Sequence, residues 1–309
     1  MPEPRRAEIN GFECVYSEDG DGPPLVFVHG GFASLGRTLY DPEEYEWSWE
    51  LDLARGFRLV TYDRRGCRQS SCPEGGYELE TQAADLEALL DFLEIGSTHL
   101  LGTSAGGPIA LVFAATRPER VRSLCLQGTA LDVLPPGDPV TEVVREQVAQ
   151  LERLGPEAAF EHRLDEVEVW FEPLWRRAEA DARGALADFL AEEERLADRA
   201  AKLPRHVRLR YYEAEVRNLA AYLDRDLRDH AAAITAPALV LHGEHDRTVP
   251  LAWGAELARV LPAGELRIIP GAYHGVLFGD ANARRVARDF FVRVERELSA
   301  EASWHVRAD

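Results

Sequence analysis

The chain has 309 residues, of which 46% are hydrophobic and 29% are charged, and its 54 acidic residues against 35 basic ones give a formal charge of −19. A chain of this length buries about 75% of its unfolded surface, so we expect a folded protein of about two domains that needs no disulfide or metal for stability. Nucleic acids and anionic membranes both require clustered positive charge, so neither is an expected partner.

Targeting signals are not expected in this sequence. Its apolar runs are far shorter than the roughly 20 residues of a membrane span. The N-terminus places Arg5 and Arg6 before a mixed polar strand and has no apolar signal core, so a cytoplasmic protein is expected. The four cysteines fit free thiols in a reducing compartment, and a bridge between Cys67 and Cys72 is the one local pairing to consider.

Short β-branched and aliphatic runs alternate with helical patterns along most of the chain. They predict strands at 25–28, 57–62, 99–102, 121–126, 238–242 and 266–269. This alternation favours an α/β fold with a mostly parallel central sheet flanked by helices. Apolar residues at steps of three and four predict a helix over 79–93, which Gly96 is expected to end, and a last helix over 281–298.

The alternation stops between 131 and 233, where helical patterns follow one another without a strand. The stretch opens with Pro135, Pro136 and Gly137 and closes before Pro237. We therefore predict a helical cap domain at 131–233, inserted into a core domain formed by 1–130 and 234–298, with a flexible tail at 299–309. Five aromatic residues of the predicted cap domain are interpreted mainly as residues that pack the cap: Trp170, Phe171, Trp175, Tyr211 and Tyr212.

A motif for nucleophilic catalysis follows the predicted strand at 99–102. The sequence Gly-Thr-Ser-Ala-Gly at 102–106 matches the Gly-x-Ser-x-Gly nucleophile elbow, and a helix pattern comes after it. The strand and helix on either side favour the elbow over a turn serine that only caps a helix. Such a turn lifts the hydroxyl of Ser104 to the edge of the sheet, where the helix N-terminus favours developing negative charge.

A serine hydroxyl needs a base, and the base needs a third group that sets its tautomer. Asp246 follows the predicted strand at 238–242, and His274 follows the strand at 266–269. Both stand at the carboxyl edge of a parallel sheet, as Ser104 does. Asp132, after an earlier strand, is the alternative acid. Metal binding by His242, His245 and Asp246 is disfavoured, because their spacing matches no strong metal signature.

The stretch Val-His-Gly-Gly-Phe at 28–32 follows the first strong strand. With the serine elbow and the later Asp and His in the order Ser, Asp, His, the sequence resembles the α/β-hydrolase superfamily over about residues 12–298, and in particular its capped serine hydrolases. The resemblance implies an oxyanion hole formed by the backbone N–H of Ala105 and one N–H of the loop, with Gly31 favoured over Phe32.

The stretch at 62–70, Tyr-Asp-Arg-Arg-Gly-Cys-Arg-Gln-Ser, is similar to the family's Asp-x-Arg-Gly-x-Gly-x-Ser turn. Arg68 stands at the position of the second glycine. Either Arg68 adopts a positive φ there, or the turn has another shape. Asp63 is interpreted as a residue that holds this turn.

These features predict a serine hydrolase that cleaves a carboxylic ester of a small, largely apolar molecule through an acyl-enzyme, with no cofactor and no metal. The alternatives are a lactonase, a carbon–carbon bond hydrolase, and an aminopeptidase resembling proline iminopeptidase, in which cap residues such as Glu213 and Glu215 would bind the substrate amine. The last family has a His-Gly-Gly-Pro-Gly loop, whereas Phe32 and Ala33 stand here. A small-molecule receptor that retains the triad is the non-enzymatic alternative. The sequence leaves the oligomeric state open.

Overall fold

The structure is a computed structural model that describes residues 3–32, 53–163, 198 and 201–305. In these ranges the strands are β1 (Arg5–Ile9), β2 (Phe12–Asp19), β3 (Pro24–Val28), β4 (Arg58–Tyr62), β5 (Thr98–Thr103), β6 (Val121–Gln127), β7 (Ala238–Gly243) and β8 (Gly264–Ile269). The helices are α1 (Leu79–Phe92), α2 (Gly106–Thr116), α3 (Pro139–Leu154), α4 (Pro156–Glu161), α5 (Arg205–Ala220), α6 (Arg228–Ala233), α7 (Leu251–Val260), α8 (Val276–Gly279) and α9 (Ala281–His305), with a 3-10 turn at Pro118–Arg120.

The eight strands described form one sheet in the order β1-β2-β4-β3-β5-β6-β7-β8. Strands β3 to β8 run parallel, whereas β1 and β2 pair antiparallel at one edge. The expected mostly parallel α/β sheet is therefore confirmed. The sequence indicated the N-terminal hairpin only as one polar strand. In β1 the charged residues are exposed, and only Ala7 and Ile9 are buried, so the strand has little apolar pattern.

Helices cover both faces of the parallel part of the sheet. In β3, Val26 and Val28 belong to the core beneath α1 and α2, whereas Leu25 and Phe27 point to the opposite core, which α9 covers. Successive side chains of a strand point to opposite faces, so a strand covered on both sides is apolar throughout. This is why the central strands were recognisable from short, uninterrupted apolar runs.

Helix α1 ends earlier than predicted. Glu94 adopts a left-handed conformation with φ of 55°, and the N–H of Ile95 bonds to the carbonyl of Leu90 at 2.8 Å. This is a Schellman ending, in which the buried Ile95 packs just beyond the helix. The prediction that Gly96 ends the helix is wrong, because the apolar contact of Ile95 places the turn two residues before the glycine.

Between β6 and β7, the described residues form helices α3 to α6 and one isolated bridge between Leu134 and Leu223. Phe160 and Tyr212 pack edge to face there, with ring centroids 5.6 Å apart, in a small apolar cluster of their own. The division of the chain into a core and a cap domain stays a prediction. Trp170, Phe171 and Trp175 lie outside the described residues.

The C-terminal helix α9 runs past Leu298 to His305. Residues 299–305 contain neither glycine nor proline, so nothing in the sequence interrupts the helix at Leu298. The helix therefore covers the first residues of the predicted tail at 299–309, whose flexibility stays a prediction, and 306–309 lie outside the described residues. None of the helices in the described ranges has the length and apolar composition of a membrane span.

Candidate active site

Ser104 lies in a strained turn between β5 and α2. Its φ is 46°, in the left-handed region that a non-glycine residue adopts only at a cost of about 1–2 kcal/mol. Its N–H bonds to the carbonyl of Gln127 at 2.9 Å, and its own carbonyl accepts from the N–H of Gly107 at 2.9 Å. The turn therefore presents the side chain of Ser104 at the carboxyl edge of the sheet.

The two glycines of the elbow allow close packing at this turn. A Cβ at Gly106 would lie 2.1 Å from the carbonyl oxygen of Val28, and one at Gly102 would lie 3.0 Å from the Cβ of Ala110. The start of α2 thus contacts the end of β3 at a distance that leaves no space for a side chain. This explains the Gly-x-Ser-x-Gly pattern in physical terms.

The structure brings Ser104, His274 and Asp246 together in one hydrogen-bonded chain. His274 Nε2 lies 3.0 Å from Ser104 Oγ, and His274 Nδ1 lies 2.8 Å from Asp246 Oδ2. The side chain of His274 is 28% exposed and that of Asp246 is fully buried. The imidazole is therefore open to a substrate on one side and anchored to a buried carboxylate on the other.

Four groups surround the carboxylate of Asp246. Its Oδ1 accepts from the backbone N–H groups of Thr248 (3.0 Å) and Val249 (2.9 Å). Its Oδ2 is bonded to His274, and Nε2 of the buried His242 lies 3.4 Å away. Because a carboxylate accepts hydrogen bonds only, this arrangement requires a proton on His274 Nδ1 and leaves Nε2 free to accept one.

Asp132, the alternative acid, lies in a different environment. Burial raises the pKa of its carboxyl group to about 6, and the nearby Asp226 carboxylate adds to this shift. The imidazole of His274 is bonded to Asp246 instead. Of the two candidates, Asp246 is the one with the geometry of an orienting acid.

Gln127, at the end of β6, was not identified from the sequence. Its side-chain Nε2 donates to the backbone carbonyl of His274 at 2.5 Å, and its backbone carbonyl accepts from the N–H of Ser104. It therefore contacts the backbone of both residues. The only sequence signal was its position one residue beyond a predicted strand, at the same carboxyl edge as the other site residues.

The loop after β3 lies against Ser104. A Cβ at Gly30 would lie 3.6 Å from Ser104 Oγ. His29 Nε2 accepts from the backbone N–H of Arg64 (3.2 Å), so its Nδ1 carries the proton and donates to the carbonyl of Gly30 (2.6 Å). Burial, together with the positive charge of Arg68, holds the pKa of His29 well below its usual value, so this imidazole is neutral.

Comparison with known proteins shows the family of this chain. The sequence profile of the alpha/beta hydrolase fold matches residues 23–281, which is most of the chain. The chain belongs to the alpha/beta hydrolase fold family. Its eight-stranded sheet, flanked by helices, is the fold expected from the resemblance.

Individual members of the family are similar over different parts of the chain. A putative non-heme chloroperoxidase of Synechocystis sp. is 28% identical over 275 residues, 85% of this chain and 88% of that protein. Proline iminopeptidase of Lactobacillus helveticus is 37% identical over 126 residues, 38% of this chain and 41% of that protein. The crystal structure of the enol-lactonase from Burkholderia xenovorans has a TM-score of 0.66 and 27% identity, covering 93% of this chain and 100% of that one.

In this member of the hydrolase family, Arg68 adopts a positive φ at the position where the family's turn has glycine. Its φ is 47°, and its guanidinium lies 3.8 Å from the carboxylate of the buried Asp63. Asp63 Oδ2 accepts from the N–H of Gln69 at 3.0 Å, and its backbone carbonyl accepts from Ser70 Oγ at 2.6 Å. Burial raises the pKa of Asp63 to about 6. These contacts agree with the interpretation of Asp63 as a residue that holds the turn.

Two tyrosines from the helical segment contact this part of the hydrolase. The hydroxyl of Tyr211 donates to the carbonyl of Arg68, and the hydroxyl of Tyr222 donates to the carbonyl of Ala105 at 2.6 Å.

Of the glutamates considered for an aminopeptidase, Glu213 forms an ion pair of 2.7 Å with Arg217 on the same helix. All four cysteines are free thiols, so Cys67 and Cys72 do not form the bridge considered above.

Proposed function

We propose that this alpha/beta hydrolase cleaves a carboxylic ester of a small, largely apolar molecule through an acyl-enzyme intermediate. The hydrogen-bonded chain from Ser104 Oγ through His274 to Asp246 is the observation that carries this proposal. A hydroxyl at 3.0 Å from an imidazole nitrogen, with a buried carboxylate on the other nitrogen, is the arrangement that makes serine a nucleophile at neutral pH.

In the proposed reaction, Ser104 Oγ attacks the ester carbonyl and transfers its proton to His274 Nε2. The carboxylate of Asp246 stabilises the imidazolium that forms, and the imidazolium then protonates the departing alcohol. The backbone N–H groups of Gly31 and Ala105 bind the negative charge on the carbonyl oxygen. A water molecule, deprotonated by His274, attacks the acyl-enzyme and releases the acid, which restores the free serine.

The position of Ser104 favours this chemistry. It precedes α2, whose first turn directs unpaired backbone N–H groups and the positive end of its dipole toward the site. On the other side, the loop at 29–32 approaches the serine at Gly30, whose carbonyl accepts a hydrogen bond from the neutral His29. Negative charge that develops on a substrate oxygen there meets N–H donors on both sides.

Lactone hydrolysis is the second candidate. A lactone is a cyclic ester, so the same attack opens its ring, and the enol-lactonase of Burkholderia xenovorans is similar over 93% of this chain. Aminopeptidase activity has support from the shorter match to proline iminopeptidase. The pairing of Glu213 with Arg217 weighs against a role for that carboxylate in binding a substrate amine.

The test is a substrate panel of short-chain aryl esters, lactones and aminoacyl arylamides. We expect the highest kcat/KM on the esters, and we expect Ser104→Ala to lower kcat about 10⁴-fold or more. The matched control is Ser123→Ala, because Ser123 Oγ also bonds to a histidine, His99, at 2.7 Å, but both residues are fully buried in the sheet.

Each outcome of this panel decides between the alternatives. Wild-type turnover by Ser104→Ala would exclude the acyl-enzyme mechanism. Faster cleavage of aminoacyl arylamides than of neutral esters would favour an aminopeptidase, and faster ring opening would favour a lactonase. A single turnover followed by lasting stabilisation of the protein by its ligand would identify a receptor.

A further inference from the structure

Arg64 is a fully buried arginine directly behind the loop at 29–32. Its Nη2 donates to the carbonyl of Gly31, and its Nη1 donates to Gln82 Oε1 (2.9 Å) and to the hydroxyl of Tyr222 (3.3 Å). Within the described part of the chain, no acidic side chain forms an ion pair with it. A buried guanidinium needs strong acceptors, and these three neutral oxygens therefore receive charge-assisted hydrogen bonds.

Tyr222 links this arginine to the nucleophile elbow. Its hydroxyl accepts from Arg64 Nη1 and donates to the carbonyl of Ala105 at 2.6 Å. Its ring packs edge to face against Phe32, with centroids 5.2 Å apart. Burial raises the pKa of Tyr222 to about 12, so the hydroxyl keeps the proton that it donates. One tyrosine thus contacts both segments that would supply oxyanion donors.

Holding these carbonyls fixes the directions of the neighbouring N–H groups. A peptide unit is planar and trans, so its carbonyl and its N–H point in opposite directions and rotate together. The carbonyl of Gly30, whose peptide carries the N–H of Gly31, is held by His29. The carbonyl of Gly31, whose peptide carries the N–H of Phe32, is held by Arg64, and that of Phe32 is held by the thiol of Cys67. The loop therefore has little freedom to rotate a peptide.

We propose that Arg64 and Tyr222 are positioning residues. By binding the carbonyls of Gly31 and Ala105, they fix the spacing between the loop at 29–32 and the elbow, and so between the Gly31 and Ala105 N–H groups that would bind an oxyanion. The proposal rests on the proposed function, because it needs an acyl-transfer reaction at Ser104. Two loops separated in the chain must keep their N–H groups within a few tenths of an ångström of one oxygen position. The pair spans this gap with three hydrogen bonds in series, from the Gly31 carbonyl to Arg64, from Arg64 to Tyr222, and from Tyr222 to the Ala105 carbonyl.

The matched control for Tyr222 is Tyr62, another fully buried tyrosine. Its hydroxyl has no hydrogen-bond partner in the described part of the structure. Tyr62→Phe therefore removes the same oxygen atom without breaking a hydrogen bond, whereas Tyr222→Phe breaks the contact between Arg64 and the elbow. A general effect of losing a buried hydroxyl would be common to both variants.

The experiment measures kcat and KM on an aryl ester, the affinity for an aryl trifluoromethyl ketone, and the melting temperature of each variant. The ketone adds to a reactive serine and places an oxyanion in the hole. We expect Tyr222→Phe to lower kcat about 10-fold and to change KM less than twofold. The affinity for the ketone should fall by about the same factor as kcat. The reason is that a displaced donor loses part of the roughly 10²- to 10³-fold contribution of an oxyanion N–H. Tyr62→Phe should match the wild type.

Arg64→Lys is the second variant. It keeps the charge but not the two-pronged geometry, so it should also lower kcat and ketone affinity together. Equal kcat and ketone affinity for Tyr222→Phe and Tyr62→Phe would overturn the proposal, as would a change in KM alone. Wild-type activity of Ser104→Ala would overturn the proposed function and this role with it. An inactive Ser104→Ala beside a fully active Tyr222→Phe would overturn this role alone.

Discussion

Replacing Asp246 by Asn tests the tautomer of His274 directly. Asp246 Oδ1 accepts two backbone N–H groups, from Thr248 and Val249, and Oδ2 accepts the proton of His274 Nδ1. The single oxygen of an asparagine would stay with the two backbone donors. Its NH₂ group would then face His274 Nδ1 and favour the tautomer that accepts there. Nε2 would carry the proton, and it could not take the proton of Ser104.

The size of the effect follows from this exchange. The substitution keeps the shape of the side chain and satisfies both backbone donors, so the fold should be retained. The histidine in the wrong tautomer cannot act as a base, and the same substitution in a serine-protease triad lowers kcat about 10⁴-fold. That factor corresponds to about 5 kcal/mol of lost transition-state stabilisation. We expect KM to change much less, because Asp246 is buried behind the imidazole.

The assay is steady-state hydrolysis of a short-chain aryl ester at neutral pH, with a melting curve for each protein. Asp132→Asn is the matched control, since it makes the same chemical change in the other candidate acid. It should keep kcat within about twofold of the wild type, because His274 is bonded to Asp246. The reasoning is refuted if Asp246→Asn retains more than about a tenth of the wild-type kcat, or if Asp132→Asn is the variant that loses activity.

Three further predictions concern stability. Gly106→Ala should lower the free energy of unfolding in urea by about 2 kcal/mol or more, because its Cβ would lie 2.1 Å from the carbonyl of Val28. The control is Gly96→Ala, which should change the free energy of unfolding by less than about 0.5 kcal/mol because the space around the added Cβ is open. Glu94→Gly should raise the melting temperature, because it removes the strain of a glutamate in the left-handed region at φ of 55° and stabilises the folded state by about 0.5–1 kcal/mol. An unchanged or lower melting temperature would contradict this. Burial lowers the pKa of His99 from 6.5 to about 4, so the unfolded chain takes up a proton in this range before the native one does. The free energy of unfolding of the wild type, measured relative to that of His99→Gln by chemical denaturation, should therefore fall as the pH drops from about 6.5 to 4. If the difference between the two free energies does not change with pH, His99 does not titrate in this way.

The parts of the fold that followed from the sequence are those with a strong local signal. Strands β3 to β7 are short and largely apolar because both their faces are buried, and the glycines around Ser104 form a recognisable pattern because α2 begins in direct contact with the end of β3. The end of α1 was mispredicted because the left-handed residue is Glu94. Its conformation is imposed by the burial of Ile95 in the tertiary core, and no property of glutamate indicates it.

The chain order of Ser104, Asp246 and His274, each just after a strand, was sufficient to nominate them from the sequence. The choice of Asp246 over Asp132 depended on which carboxylate reaches the imidazole, and that distance exists only in the folded chain. Arg64 and Tyr222 were not predicted at all. They are 158 residues apart, and their role comes from a hydrogen bond in the buried interior. Local patterns determine which backbone shapes form, but the partners of buried polar groups are set by how distant segments pack together.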